Sequence, residues 1–220
     1  MQYRAIIFDL DGTLLNTLDD LGNAMNRTLE HEGFPTHPID AYRYFVGNGA
    51  RTLVTRTLPE AHRDQETIDR CFARFRADYE RHWNVNTRPY DGILDMLNVL
   101  TARGIPLTVL SNKPDADAKR CVAELLPEGA FEIVLGQRAG IPHKPDPAGA
   151  RDIATKLHLS PAEILYVGDT SIDMETALAA HMFPVGVLWG FRSRQELEDS
   201  GAQALLTHPL DIFEVVDRGQ

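Results

Sequence analysis

Cysteine is nearly absent. Of 220 residues only Cys71 and Cys121 are cysteines, and they are too far apart to suggest a disulfide scaffold or a cysteine metal site. Two lone thiols in a chain of this length read as buried or reduced, which makes a cytoplasmic location the default expectation. Basic runs are also missing. The net charge is -10, from 22 Lys+Arg against 32 Asp+Glu, and the absence of a basic block excludes a surface built to neutralise nucleic-acid phosphates. No apolar run is long enough to span a bilayer, the longest lying around "PVGVLWGF", so no membrane partner is expected. The opening "MQYRAIIFD" runs straight into a strand pattern and shows none of the regions of an export signal. The eight histidines form no HExxH or other clustered pattern, and no internal repeat or low-complexity segment is visible.

What is present describes an ordinary globular chain, 43% hydrophobic and 25% charged, long enough for one large domain or a domain with an insert. Strand patterns appear at "AIIF", "IPLTVLSN", "FEIVLG", "EILYVGD" and "PVGVLWG". From Asp91 onward they alternate with helical patterns, first "DGILDMLNVLTARG", then "DADAKRCVAELLP", a segment over 147–157 and another after Ser171. Ser160 with Glu163 and Ser193 with Glu196 have capping-box spacing at expected helix starts. Such alternation predicts a parallel sheet with helices on both faces. Residues 17–86 break it, because four helical patterns follow one another there with no convincing strand. The expected organisation is an α/β core of residues 1–15 and 87–220, with a helical insert over 16–86.

The stretch "AIIFDLDGTLLNT" poses the functional question, since a buried strand ends in two aspartates. Alternation along an extended strand would put Asp9 and Asp11 on one side. Ligands of open α/β sheets bind beyond the carboxyl ends of the strands, and four such ends here carry polar cargo. They hold Asp9 with Asp11, Ser111 with Asn112, the loop bearing Lys144, and Asp169 with Asp173. Carboxylates gathered there would repel one another and call for a hard cation. Mg²⁺, which takes a few carboxylates plus water and substrate phosphate, suits so sparse a set.

In order, "DLDGTL", "SNKP", "HKPDP" and "GDTSID" resemble the four signature motifs of the haloacid dehalogenase superfamily. The resemblance covers nearly the whole chain, with the insert where that family carries a small α-helical cap. "NTLDDLGNAMN", "GNGA" and "SNKP" are similar to its phosphoglycolate phosphatase branch. The segment "LGQRAGIPHKP" and His181 depart from that branch's pattern.

The resemblance implies a Rossmann-like core with the first strand central, and magnesium-dependent phosphoryl transfer. Asp9 would be the nucleophile, forming an aspartyl-phosphate, and Asp11 the general acid and then base. Lys144 would neutralise charge, while Gly12, Thr13, Ser111 and Asn112 would hold the phosphate. Asp9, Asp11 through its carbonyl, Asp169 and Asp173 would be the metal ligands, with Asp173 alternatively holding the lysine. In the insert, Asn48 and Arg51 would meet the substrate's far end. The implied partner is a small phosphorylated metabolite, 2-phosphoglycolate first, with pyrophosphate, a sugar phosphate or a nucleoside monophosphate as alternatives. A sugar-phosphate mutase or a non-catalytic phospholigand-binding relative stays open as well. The implied assembly is a monomer or homodimer.

Overall fold

The computed structural model describes residues 3–217. By contacts the chain divides into two compact units, Asn16–Arg88 and the pair of segments Met1–Leu15 with Pro89–Gln220. The chain begins with β1 (Ala5–Phe8) and the short β2 (Leu15–Asn16), then enters helices α1 (Leu18–Glu32), α2 (Tyr42–Phe45), α3 (Ala50–Thr57) and α4 (Gln65–His82). It leaves them through β3 (Arg88–Pro89), followed by α5 (Ile93–Ala102), β4 (Leu107–Pro114), α6 (Asp115–Leu125) and β5 (Ile133–Gln137). Then come α7 (Ala148–Lys156), β6 (Ile164–Gly168), α8 (Ser171–Ala180), β7 (Phe183–Val187), α9 (Arg194–Asp199), β8 (Ala204–Leu206) and α10 (Ile212–Asp217). The second crossing lies between Arg88 and Pro89, two residues past the expected 86, inside the short β3 that pairs with β2 as a two-stranded ribbon.

The helical unit forms because its apolar residues recur at helical spacing. On α1, Leu18, Leu21, Met25 and Leu29 are buried on one face. Gly33, with φ 76, ends that helix in the left-handed region, its N–H donating to the Glu30 carbonyl. α4 starts at Asp64, whose carboxylate accepts from the Thr67 N–H at 3.0 Å, and buries Ile68, Cys71, Phe75 and Tyr79. Asp20, 2% exposed, accepts from the backbone and side chain of both Asn86 and Thr87. That carboxylate clasps the start of α1 to the segment leading into β3.

The α/β unit holds a six-stranded sheet in the order β5-β4-β1-β6-β7-β8, every neighbour pairing parallel. The first strand thus lies between β4 and β6, with Ile7 opposite both Thr108 and Tyr166. All four residues of β1 are buried, as a strand covered by helices on both faces requires. Ala5, Ile7, Leu110, Ile153, Ile164 and Ala177 share one apolar cluster, and full burial of each larger side chain contributes about 1.5–3 kcal/mol.

Three details depart from the expected pattern. Ser160 and Glu163 pair, the Ser160 N–H donating to the Glu163 carboxylate at 2.9 Å, but they cap a single 3₁₀ turn, Pro161–Glu163, rather than an α-helix. His181 occupies the left-handed C-cap of α8 at φ 65, a place that favours glycine. The sheet also gains β8, three residues with no periodicity to announce them. Among the described residues no helix is long and apolar enough to cross a membrane, and Cys71 and Cys121 are both buried and free.

Candidate active site

Parallel strands bring their carboxyl ends to one edge, and the order β4-β1-β6 makes neighbours of the motif-bearing ends. Asp9 follows β1, with its N–H on the Val167 carbonyl at 2.9 Å. Asp169 follows β6, and Asp173 lies in the first turn of α8. Asp9, Asp169 and Asp173 each offer an oxygen within 4.8 Å of the others. They are 7%, 0% and 0% exposed.

One lysine serves this cluster. The Lys144 ammonium donates to Asp9 Oδ1 at 2.7 Å, Asp173 Oδ1 at 2.7 Å and the Leu110 carbonyl at 3.1 Å, which uses all three of its N–H bonds. Asn112 fixes the loop that carries it. Its Oδ1 accepts from the Lys144 N–H at 2.9 Å and its amide nitrogen donates to the Lys144 carbonyl at 3.2 Å. Asn112 thus clamps the lysine's backbone from both sides.

The charge accounting leaves a deficit. Burial pushes the Asp9 carboxyl up to about 7 in spite of Lys144, with Asp173 adding to the rise. Burial likewise raises Asp169 well above the carboxylate range, helped by Asp173 and Asp9. Burial by itself would depress Lys144, but Asp173 and Asp9 outweigh it and hold the ammonium firmly charged. Three carboxylates sharing one ammonium are short of positive charge, and an all-oxygen donor set suits a hard divalent cation. The residues present fit such an ion.

The rest of the expected set divides between supports and the opposite side of the site. Thr13 is 1% exposed and its hydroxyl donates to Asp169 Oδ1 at 3.1 Å. It steadies a carboxylate, where phosphate contact had been expected. Asp169 Oδ2 accepts from the Phe191 N–H at 2.8 Å, so both of its oxygens are oriented. Gly12 has φ +91, and a Cβ there would stand 2.3 Å from Asp169 Oδ2; the turn and the close approach both require glycine. Its own N–H donates to the Leu15 carbonyl at 2.8 Å, which closes the turn. Ser111 is buried, its hydroxyl oxygen accepting from the Lys113 N–H at 3.2 Å.

Asp173 does two jobs at once. One oxygen accepts from the Thr170 N–H at 3.1 Å and hydroxyl at 2.8 Å, closing a capping box at the start of α8, while the other holds Lys144. The cap of α8 and the grip on Lys144 thus coincide in one side chain.

Asp11 does not join the cluster. It is not one of the three carboxylates whose oxygens lie within 4.8 Å of one another, although its charge acts on Asp9. Its oxygens instead receive Lys113 Nζ at 3.0 and 3.2 Å. Lys113 was missed in the sequence although it stands in "SNKP"; the available signal was a lysine directly after two strand-end polar residues.

In the helical unit, Asn48 lies in the turn between Gly47, φ 109, and Gly49, φ 82. Arg51 opens α3, where it pairs with Asp69 and lies 5.7 Å from the Phe72 ring centre.

Comparison with known proteins agrees with this geometry. The family model for haloacid dehalogenase-like hydrolases matches residues 6–187. A phosphoglycolate phosphatase of Rhodospirillum rubrum is 35% identical, the match covering 92% of this chain and 86% of that one. One from Pseudomonas putida is 30% identical over 89% of this chain and 73% of its own. Among solved structures, a Lactobacillus delbrueckii protein provisionally designated a phosphoglycolate phosphatase superposes with a TM-score of 0.92 at 32% identity, covering 98% of this chain and 99% of that one. The chain belongs to the haloacid dehalogenase-like hydrolase family.

Proposed function

We propose that the protein is a magnesium-dependent phosphatase for small phosphomonoesters, with 2-phosphoglycolate the foremost substrate. One observation carries the chemistry: Asp9 ends the first strand, is 7% exposed and is gripped by a lysine at 2.7 Å inside a cluster short of positive charge. The substrate assignment leans on the phosphoglycolate phosphatases that are 30–35% identical to this chain.

In this reading the Asp9 carboxylate attacks phosphorus in line and forms an aspartyl-phosphate, which water then hydrolyses. Asp11 protonates the departing alkoxide and afterwards takes a proton from that water, a contribution of about 10²–10⁴ in rate. Lys144 keeps negative charge on nucleophile and phosphate from holding the two apart. Ser111 holds a phosphate oxygen. Asp9, Asp169 and the carbonyl of Asp11 would hold Mg²⁺, with Asp173 orienting the lysine beside them. When bound, the ion supplies the positive charge that the cluster lacks and polarises the phosphoryl group. The helical unit is the substrate-selecting cap of this proposal, Asn48 and Arg51 being its candidate contacts.

The test is release of inorganic phosphate from an aryl phosphate and from a panel of small phosphorylated metabolites. Turnover should require Mg²⁺, stop with EDTA, and fall by about four orders of magnitude or more in Asp9→Asn. Turnover that survives both treatments removes the mechanism. A panel ranked by kcat/KM with 2-phosphoglycolate far down removes the substrate assignment.

A further inference from the structure

We propose that Lys113 reads a second anionic group on the leaving side of the substrate, making the site selective for phosphate esters whose alcohol carries a carboxylate beside the ester oxygen. The inference rests on the phosphatase reading and deepens it.

The chain has four lysines, Lys113, Lys119, Lys144 and Lys156, and two of them, Lys113 at 7% and Lys144 at 6% exposure, are buried at this site. An ammonium taken out of water needs a close anion, or burial costs several kcal/mol. Lys144 has its anions on the nucleophile side, all three N–H bonds committed. Lys113 has Asp11, held side-on through both carboxylate oxygens at 3.0 and 3.2 Å. The two lysines thus divide the site: one serves the attacking carboxylate, the other the carboxylate that must meet the leaving oxygen.

That placement fixes how far Lys113 is from an incoming substrate. A leaving oxygen within hydrogen-bond reach of Asp11 lies no more than roughly 6 Å from Lys113 Nζ, the sum of two hydrogen-bond lengths. In an ester of the form phosphate–O–CH₂–COO⁻, the carboxylate is one methylene beyond that oxygen, close enough for the ammonium to reach. The site is otherwise lined by Asp9, Asp11, Asp169 and Asp173, so an anionic tail entering without a cation to meet it would be repelled. At Lys113 it finds one. Asp11 and the substrate carboxylate then share, or exchange, a single ammonium, and Asp11 turns from Lys113 toward the leaving oxygen. A neutral tail offers Lys113 nothing and leaves it on Asp11.

The experiment compares two esters that differ only in the tail, 2-phosphoglycolate and 2-hydroxyethyl phosphate, with Mg²⁺ present, in the wild type, Lys113→Gln and Lys113→Arg. The wild type is expected to favour phosphoglycolate by about 10²-fold in kcat/KM, the scale of one net hydrogen bond to a charged group. Lys113→Gln should cut the preference for phosphoglycolate over the hydroxyethyl ester by about that factor, chiefly through the phosphoglycolate KM, on top of a common loss on both esters from leaving Asp11 without its ammonium. Lys113→Arg, which keeps the charge and the fold, should keep part of the preference. Equal losses on both esters in Lys113→Gln would show that Lys113 merely neutralises Asp11, and would overturn the proposal. So would a wild type with no preference, or a Lys113→Arg enzyme hydrolysing both esters at the wild-type ratio after Lys113→Gln has done the same. Hydrolysis of an aryl phosphate with no Lys113-dependent preference sinks this inference alone, whereas no turnover of any ester sinks the phosphatase reading with it.

Discussion

Two sets of carboxylates in this protein have nearly the same exposure and opposite chemistry. In the helical unit the Glu32 side chain is 10% exposed and receives both Arg70 and Arg74; Asp78, at 16%, receives Arg27 through both oxygens at 3.0 Å. In the α/β unit the Asp9 side chain is 9% exposed and shares Lys144 with Asp173. The Arg70 hydrogen bond leads in holding Glu32 below its ordinary range. Burial pushes Asp78 up, but Arg27 more than offsets it. At Asp9 burial wins, and the carboxyl rises to about 7. Shielding from water therefore does not separate the two places. The supply of cations does: the helices set guanidinium against both Glu32 and Asp78, while the strand ends leave three carboxylates to one ammonium. A deficit of that kind lowers stability and is characteristic of functional sites.

The sharpest way to break the comparison is to remove the single lysine. Lys144→Met is expected to lower turnover by roughly 10²–10⁴ and to cost the metal-free protein about 3–5 kcal/mol, because two buried carboxylates lose their partner. Phosphate release and denaturant unfolding measure both; an unchanged unfolding midpoint would mean that the lysine does not hold the cluster together.

The next test uses pH. Asp9 binds its proton more tightly folded than unfolded, since its pKa rises from 3.8 to about 7. Its contribution to stability is therefore full below the unfolded value and is lost as pH rises through about 7. Glu32 and Asp78 work in the opposite window, their contribution being present above the unfolded values and lost as acid protonates them. EDTA-treated protein should lose melting temperature between about pH 4 and pH 7, and saturating Mg²⁺ should flatten that slope by supplying the missing charge. A metal-free melting temperature that does not fall over this range would remove the charge deficit at Asp9.

The smallest effect is expected in the helical unit. Arg27 is 43% exposed, so Arg27→Ala should cost only about 0.2–1 kcal/mol, less in high salt, and leave kcat unchanged. A loss comparable with that of Lys144→Met would erase the distinction between balanced and unbalanced carboxylates.

Much of this was legible in the sequence because it rests on local pattern. Helical spacing on α1 and α4, the short apolar run of β1, and the alternation after Asp91 each announce their element. The position of Asp9 and Asp169 just past their strands follows the expected pattern, whereas Ser111 falls inside β4, which runs on to Pro114 through a register shift after Leu110. β8 was not legible, since three residues carry no period. The duties of Thr13, Asn112 and Gly12 were not legible either. A hydroxyl, an amide and a glycine in a motif do not announce that they orient Asp169, clasp the backbone of Lys144 and make room for a carboxylate.

The sequence by itself determined the family, the parallel sheet and the residue that ends its first strand, because periodicity and motif order are properties of neighbouring residues. Only the tertiary structure decided which acid each lysine serves. Lys113 lies 102 positions from Asp11, and Lys144 135 from Asp9. Pairings over such separations are set by strand order and by where the backbone turns after Phe8, and no local pattern records them.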